Sequence, residues 1–159
     1  MSSLWPGYWK GKKLLDPILF EIPKRNINEL LKAKPKVKVK TVGGDMYVYD
    51  QEKVNMRYAN GVVSIEDFGA GETFFWAFPL DSEVHIILKG KAELTYSLEG
   101  TNHTEEKKMI VEEGDVYIIP RGARMTWKVD SGGPLRKMCV LMPGLAVSER
   151  RAEALEELS

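Results

Sequence analysis

Glu83 and His85 stand two residues apart in the run Glu83-Val84-His85-Ile86-Ile87-Leu88-Lys89-Gly90. In a strand such a pair shares one face, because successive side chains alternate sides. Desolvation raises the pKa of a carboxylic acid in apolar surroundings, while an adjacent imidazole resists that rise by favouring the ion. A pair balanced in this way can pass protons near neutral pH. Equally, the two could be a satisfied buried pair with no chemistry at all. The side chains available to surround them are large and flat. Trp76 and Phe78 share a face with Phe74, Met125 shares one with Trp127, and Tyr96 and Tyr117 add hydroxyls. That wall suits an organic molecule with a planar or hydrophobic part. It would also simply fill a small barrel.

Metal donors are scarce. The chain has two histidines, His85 and His103, and one cysteine, Cys139. At most Glu83, His85 and His103 could be recruited to an ion. His103 falls in the polar stretch Glu99–Glu106, which reads as a hairpin tip with a solvated imidazole. Cys139 sits in an apolar run and reads as inert core. Arg121 and Arg124 could meet a carboxylate at the mouth of a site, although solvated arginines are the simpler reading.

Stepping outward from these residues, short apolar runs are each bounded by Gly, Asn, Asp or Pro from Asp45 to Met142. They include Met46–Tyr49, Val62–Ile65, Phe74–Phe78, Val84–Leu88, Ala92–Leu98, Val116–Ile119, Met125–Val129 and Leu135–Leu141. Many short strands with no long helix between them predict an antiparallel sandwich or barrel. Asn60-Gly61 carries a hairpin signal. Residues 1–44 read as an N-terminal arm, with a helix capped by Asn26 and then an edge strand in which lysines 34, 36, 38 and 40 alternate with Pro35, Val37, Val39 and Thr41. Residues 45–145 read as the barrel, and 146–159 as a short amphipathic helix starting at Ser148.

The bulk numbers limit the function classes. At 159 residues the chain suffices for one domain with a substantial core. Lys+Arg and Asp+Glu both total 23, so no basic excess points to nucleic acid. No apolar run is long enough for a signal peptide or a membrane span. With a single cysteine, no intramolecular disulfide can form, and a cytoplasmic location is expected.

Two segments carry a family resemblance. Gly71–Pro79 with Glu83–Gly90, and Gly114-Asp115-Val116-Tyr117-Ile118-Ile119-Pro120-Arg121-Gly122-Ala123-Arg124-Met125, resemble the paired motifs of the cupin superfamily. The first motif of that superfamily has two histidines one residue apart, a glutamate and a glycine. The second has glycine, proline, glycine and a third histidine. Glu83, Gly90, Gly114, Pro120 and Gly122 match. Trp76 and Phe78 (or Ala77 and Pro79) and Met125 stand where the histidines belong. The resemblance implies an all-β, RmlC-like jelly-roll barrel, the cupin double-stranded β-helix, with Glu83 and His85 facing inward. Val84, Ile86 and Leu88 would face outward, covered by the arm or by a second subunit, so a homodimer is expected. With three imidazoles missing, no cofactor is expected, and any divalent metal would have to use Glu83 and His85. The run Gly114–Gly122 followed by Trp127-Lys128-Val129 is most similar to a compact, metal-degenerate group near the ethanolamine-utilisation cupins. The functional expectation is a metal-independent lyase or isomerase of a small organic acid or ketone, with Glu83 and His85 moving protons. The alternative is a non-catalytic ligand-binding or sensor cupin. In either case the ligand would lie between Glu83 and His85 on one wall and Trp76, Phe78, Met125 and Trp127 on the other.

Overall fold

A computed structural model of the protein describes residues 23–49, 54–58, 61–78, 82–98 and 104–142. One helix, α1 (Ile27–Lys32), opens the described chain, with Asn26 as its cap: the Asn26 side-chain oxygen accepts from Asn28 N–H at 2.9 Å. Eleven strands follow: β1 (Val37–Thr41), β2 (Gly44–Val48), β3 (Met56–Tyr58), β4 (Gly61–Phe68), β5 (Thr73–Ala77), β6 (Ser82–Lys89), β7 (Lys91–Ser97), β8 (Lys107–Glu112), β9 (Val116–Ile119), β10 (Arg124–Val129) and β11 (Leu135–Met142). All pairings are antiparallel. One sheet runs β1-β2-β4-β11-β6-β9, with β3 also on β4, and the second runs β5-β10-β7-β8. The two sheets enclose one core, as expected of a jelly roll. No helix among the described residues is long and apolar enough to cross a membrane.

The strand alternation behaves as β6 requires. Ile87 packs in the core between the sheets, next to Phe68, Leu94 and Leu135. Leu88 and Ile86 face the other way and meet Leu30 of α1, together with Tyr49 and Ile65. The described part of the arm therefore covers the outer face of this strand. Arg136 of β11 fastens it there. Its guanidinium donates to Asp67 at 3.0 and 3.1 Å and to the carbonyl oxygens of Leu30 and Leu31 at 3.2 and 2.7 Å. Orphan carbonyls at a helix C-terminus need such donors.

β1 is an edge strand with Lys38 and Lys40 exposed, as its alternating lysines predict. At the tip of the β1–β2 hairpin, the Gly43 carbonyl accepts from Phe75 N–H at 2.8 Å. The hairpin thus bridges to the second sheet, and a Cβ on Gly43 would overlap the Phe75 carbonyl. Gly90, between β6 and β7, has φ +89°, and a Cβ there would overlap the Pro134 carbonyl. Only glycine suits that place. The hairpin signalled by Asn60-Gly61 joins β3 and β4, where Tyr58 pairs with Gly61; positions 59–60 lie outside the described residues. The His103 tip and the helix expected after Ser148 also lie outside them.

Candidate functional site

Three neighbouring strands of one sheet bring polar side chains into the barrel. β4 supplies Glu66, β11 supplies Lys137 and Cys139, and β6 supplies Glu83 and His85. The register explains the juxtaposition: Lys137 pairs with Glu66 across β11–β4, Cys139 with His85 across β11–β6, and His85 with Tyr117 across β6–β9. Glu66, Glu83, His85 and Lys137 border a cavity of about 180 Å³, lined also by Met46, Phe68, Phe74, Trp76, Phe78 and Trp127.

His85 is 2 % exposed and engaged at both nitrogens. Its Nδ1 lies 2.9 Å from the Tyr117 hydroxyl, and its Nε2 lies 3.4 Å from Glu83 Oε1. Trp127 Nε1–H donates to the same hydroxyl at 3.0 Å. The Glu83 oxygen beside Nε2 is an acceptor, so Nε2 carries the donor and the Tyr117 proton points at Nδ1. We therefore assign the ring proton to Nε2, facing Glu83. Burial is the dominant influence on His85 and holds its pKa below the ordinary value; the Glu83 hydrogen bond opposes this and the Lys137 charge reinforces it. The imidazole is neutral at pH 7. Burial likewise pushes the Tyr117 hydroxyl up.

Lys137 is 1 % exposed, which is rare for a lysine. Its Nζ donates to Glu66 Oε2 at 2.6 Å and to Cys139 Sγ at 3.3 Å, and sits 4.2 Å from the Phe68 ring centre. Burial works against this ammonium, but Cys139 and the charge and hydrogen bond of Glu66 together outweigh it and raise the pKa. Burial works against the Glu66 carboxylate too, and the Lys137 charge and hydrogen bond more than offset that, leaving its pKa lowered. Burial pushes the Cys139 thiol up, so at neutral pH it is a neutral acceptor for Lys137.

Of the residues singled out from sequence, Glu83, His85, Trp76, Phe78 and Trp127 border the cavity. Trp76 is 40 % exposed and stands on its outer side. Tyr117 sits behind His85. Met125, 3 % exposed, packs in the core, and Tyr96 packs against that core, both outside the lining. Arg121 and Arg124 are exposed. Sequence reasoning missed Lys137 and Glu66. The signal for Lys137 was two successive cations, Arg136 and Lys137, inside an otherwise apolar strand, which forces one of them inward.

The resemblance to cupins implies a metal, for which the described residues offer one set of donors. Glu83, His85 and Cys139 bring one ligand atom each within 4.8 Å of one another, so Cys139 joins the two donors expected from sequence. An ion bound to Cys139 at a usual metal–sulfur distance of about 2.3 Å would lie within roughly 5.6 Å of Lys137 Nζ. A divalent charge that close to an ammonium is repelled by about 6 kcal/mol at an effective dielectric of 20, which the Glu66 carboxylate beside the ammonium offsets only in part. The thiol would also have to ionise beside its neighbours. With Lys137 in place this donor set does not fit a divalent ion.

Comparison with known proteins agrees with the fold. No curated protein matches the sequence. Among solved structures, the Schizosaccharomyces pombe Cnp3 cupin domain superposes with a TM-score of 0.51 at 16% identity, covering 67% of this chain and 71% of that one. The Drosophila melanogaster CENP-C cupin domain gives 0.50 at 14% identity, over 76% and 82%. CapF, in complex with the inhibitor 3-isopropenyl-tropolone, gives 0.51 at 16% identity, over 70% of this chain and 31% of its own. At these identities the likeness concerns the fold alone. The family model for cupins matches residues 29–138. With most of the chain inside that match and two antiparallel sheets closed around one core, this protein belongs to the cupin family.

Proposed function

We propose that this cupin handles a small organic molecule inside its barrel by proton transfer, without a resident metal. Glu83 takes and returns the proton, and His85 orients the carboxylate and shares its charge. The observation that carries this reading is the cavity itself: about 180 Å³, walled by aromatic rings, with Glu83 and His85 opening into it. A cavity of roughly 150 Å³ accommodates a benzene ring, so the ligand is of that order of size. A positioned acid–base pair contributes about 10²–10⁴-fold to a proton transfer. In the finer likeness to compact, metal-degenerate cupins near the ethanolamine-utilisation proteins, support comes from Gly114–Gly122 with Trp127-Lys128-Val129.

A non-catalytic binding or sensor cupin is the second reading, favoured by the engagement of both His85 nitrogens within the protein. Ligand-observed NMR of small ketones and acids, followed in time, separates the two. Catalysis gives product formation with a bell-shaped pH dependence that collapses in Glu83→Gln and His85→Ala. A sensor gives saturable binding and no product. Absence of any bound compound across such a series would sink both.

A further inference from the structure

Resting on the reading of this cavity as a ligand site, we propose that its ligand is an uncharged carbonyl compound whose oxygen is received by the Lys137 ammonium. Lys137 has three N–H groups. Two are directed to Glu66 and Cys139, and beyond these the ammonium meets no oxygen, nitrogen or sulfur acceptor among the described residues, only the face of Phe68 4.2 Å away. The ammonium belongs to a side chain that is almost wholly buried and borders the cavity. A buried N–H that meets only an aromatic face gains from a ligand that brings an oxygen acceptor.

The charges around the cavity select the kind of acceptor. Two carboxyl groups, Glu66 and Glu83, border the cavity beside a single ammonium. A carboxylate ligand would reach Lys137 only by approaching Glu66, which already holds that ammonium at 2.6 Å, with Glu83 on the same cavity. An organic cation would find the Phe68 face already taken by Lys137. A ketone or aldehyde supplies an acceptor and adds no charge, and the rings of Phe74 and Trp127 accept its apolar remainder. Of the small acids and ketones that the sequence leaves open, the cavity favours the ketones.

The arrangement also defines the proton transfer. When Glu83 removes a proton from the carbon next to the carbonyl, that C–H bond breaks and its electron pair forms a C=C bond. The carbonyl π pair moves to the oxygen beside Lys137. Returning the proton to carbon restores the ketone or gives its isomer, so no oxidant or second reactant is required.

The test uses the intact protein and four compounds of similar shape: cyclohexanone, cyclohexanecarboxylate, cyclohexylammonium and methylenecyclohexane. Binding is read by calorimetry, and the carbonyl by its ¹³C resonance. Cyclohexanone is expected to bind at least tenfold more tightly than the other three, with its carbonyl carbon shifted downfield on binding. Lys137→Met, and Lys137→Met with Glu66→Gln in case the lone carboxylate prevents folding, should lower its affinity to that of methylenecyclohexane. The ¹³C shift in the wild-type protein decides the matter even if neither variant folds. If methylenecyclohexane binds and the ketone binds no better, or a charged analogue binds best, the carbonyl assignment fails while the cavity remains a ligand site. If none of the four binds, the ligand-site reading fails and the assignment with it.

Discussion

Replacing Arg136 by methionine removes four hydrogen bonds and one buried charge while keeping a long apolar stem. In the folded protein Arg136 and Asp67 have side-chain exposures of 7 and 4 %, so the pair is almost completely removed from water. Tyr49 adds to it, donating its hydroxyl to Asp67 at 2.8 Å with its ring 5.1 Å from the guanidinium. Taking away one member of a buried ion pair costs about 3–5 kcal/mol, because the partner charge stays buried. Here Tyr49 still serves Asp67, which places the single variant near the lower end, about 3 kcal/mol. The carbonyls of Leu30 and Leu31 lose their donors as well, and that loss is confined to α1. Adding Asp67→Asn removes the stranded charge and should restore at least half of the lost stability. Equilibrium urea unfolding followed by tryptophan fluorescence measures both steps, since Trp127 is buried in the core. A cost below about 1 kcal/mol for the single change, or a double variant no more stable than the single, would refute the stranded-charge argument.

Acidification should destabilise the protein in two windows. His85 has a folded pKa below 6.5, so beneath that pH the unfolded chain binds a proton the folded one refuses, and stability falls by up to about 1.4 kcal/mol per pH unit. Around the ring stand Glu83, Glu66, Lys137, Cys139 and Tyr117, and His85→Gln should flatten this first window in urea titrations; an unchanged slope would count against it. Glu66, with its pKa lowered, contributes stability above about 4.5 that is lost as pH falls through its folded value, and Glu66→Gln should remove that second window alone. For the metal argument, Lys137→Met with Glu66→Gln should bind Co²⁺ at least 100-fold more tightly than the parent protein and show thiolate-to-cobalt absorption that Cys139→Ser abolishes. A parent protein binding Co²⁺ equally tightly, with the same absorption, would overturn it.

Much of the frame was legible because it is written in local chemistry. Glycines and prolines between short apolar runs mark strand ends, Asn26 marks a helix start, and Gly90, Gly114 and Gly122 all take up positive φ. The shared face of Glu83 and His85 follows from strand geometry alone. Lys137 carried only the local signal of a second cation beside Arg136, and Glu66 carried none, for a physical reason. A charged residue alternating with apolar ones reads as facing water, and only the β4–β11 register, a contact 71 residues apart in sequence, shows that the two neutralise each other inside. Met46 reaches the cavity because the β1–β2 hairpin lies across both sheets, which no periodicity within β2 announces. Cys139 is buried in the core, as its apolar run predicts, while its contacts with Lys137 and Glu66 depend on the same register.

The Lys137 ammonium has a consequence for how this barrel would be supplied in a cell. Sites built from imidazole and carboxylate compete for ions along a fixed affinity series, so they depend on which ions are abundant and on being filled correctly after synthesis. A cation carried on a lysine side chain arrives with the polypeptide at a fixed ratio of one per chain. It cannot be stripped by a chelator, exchanged for a wrong ion, or left empty in starvation. Its strength, however, is set once by its neighbours and cannot be retuned by swapping the element. A barrel that works by the metal-free chemistry proposed above gives up the versatility of a replaceable centre for independence from the mineral content of its surroundings.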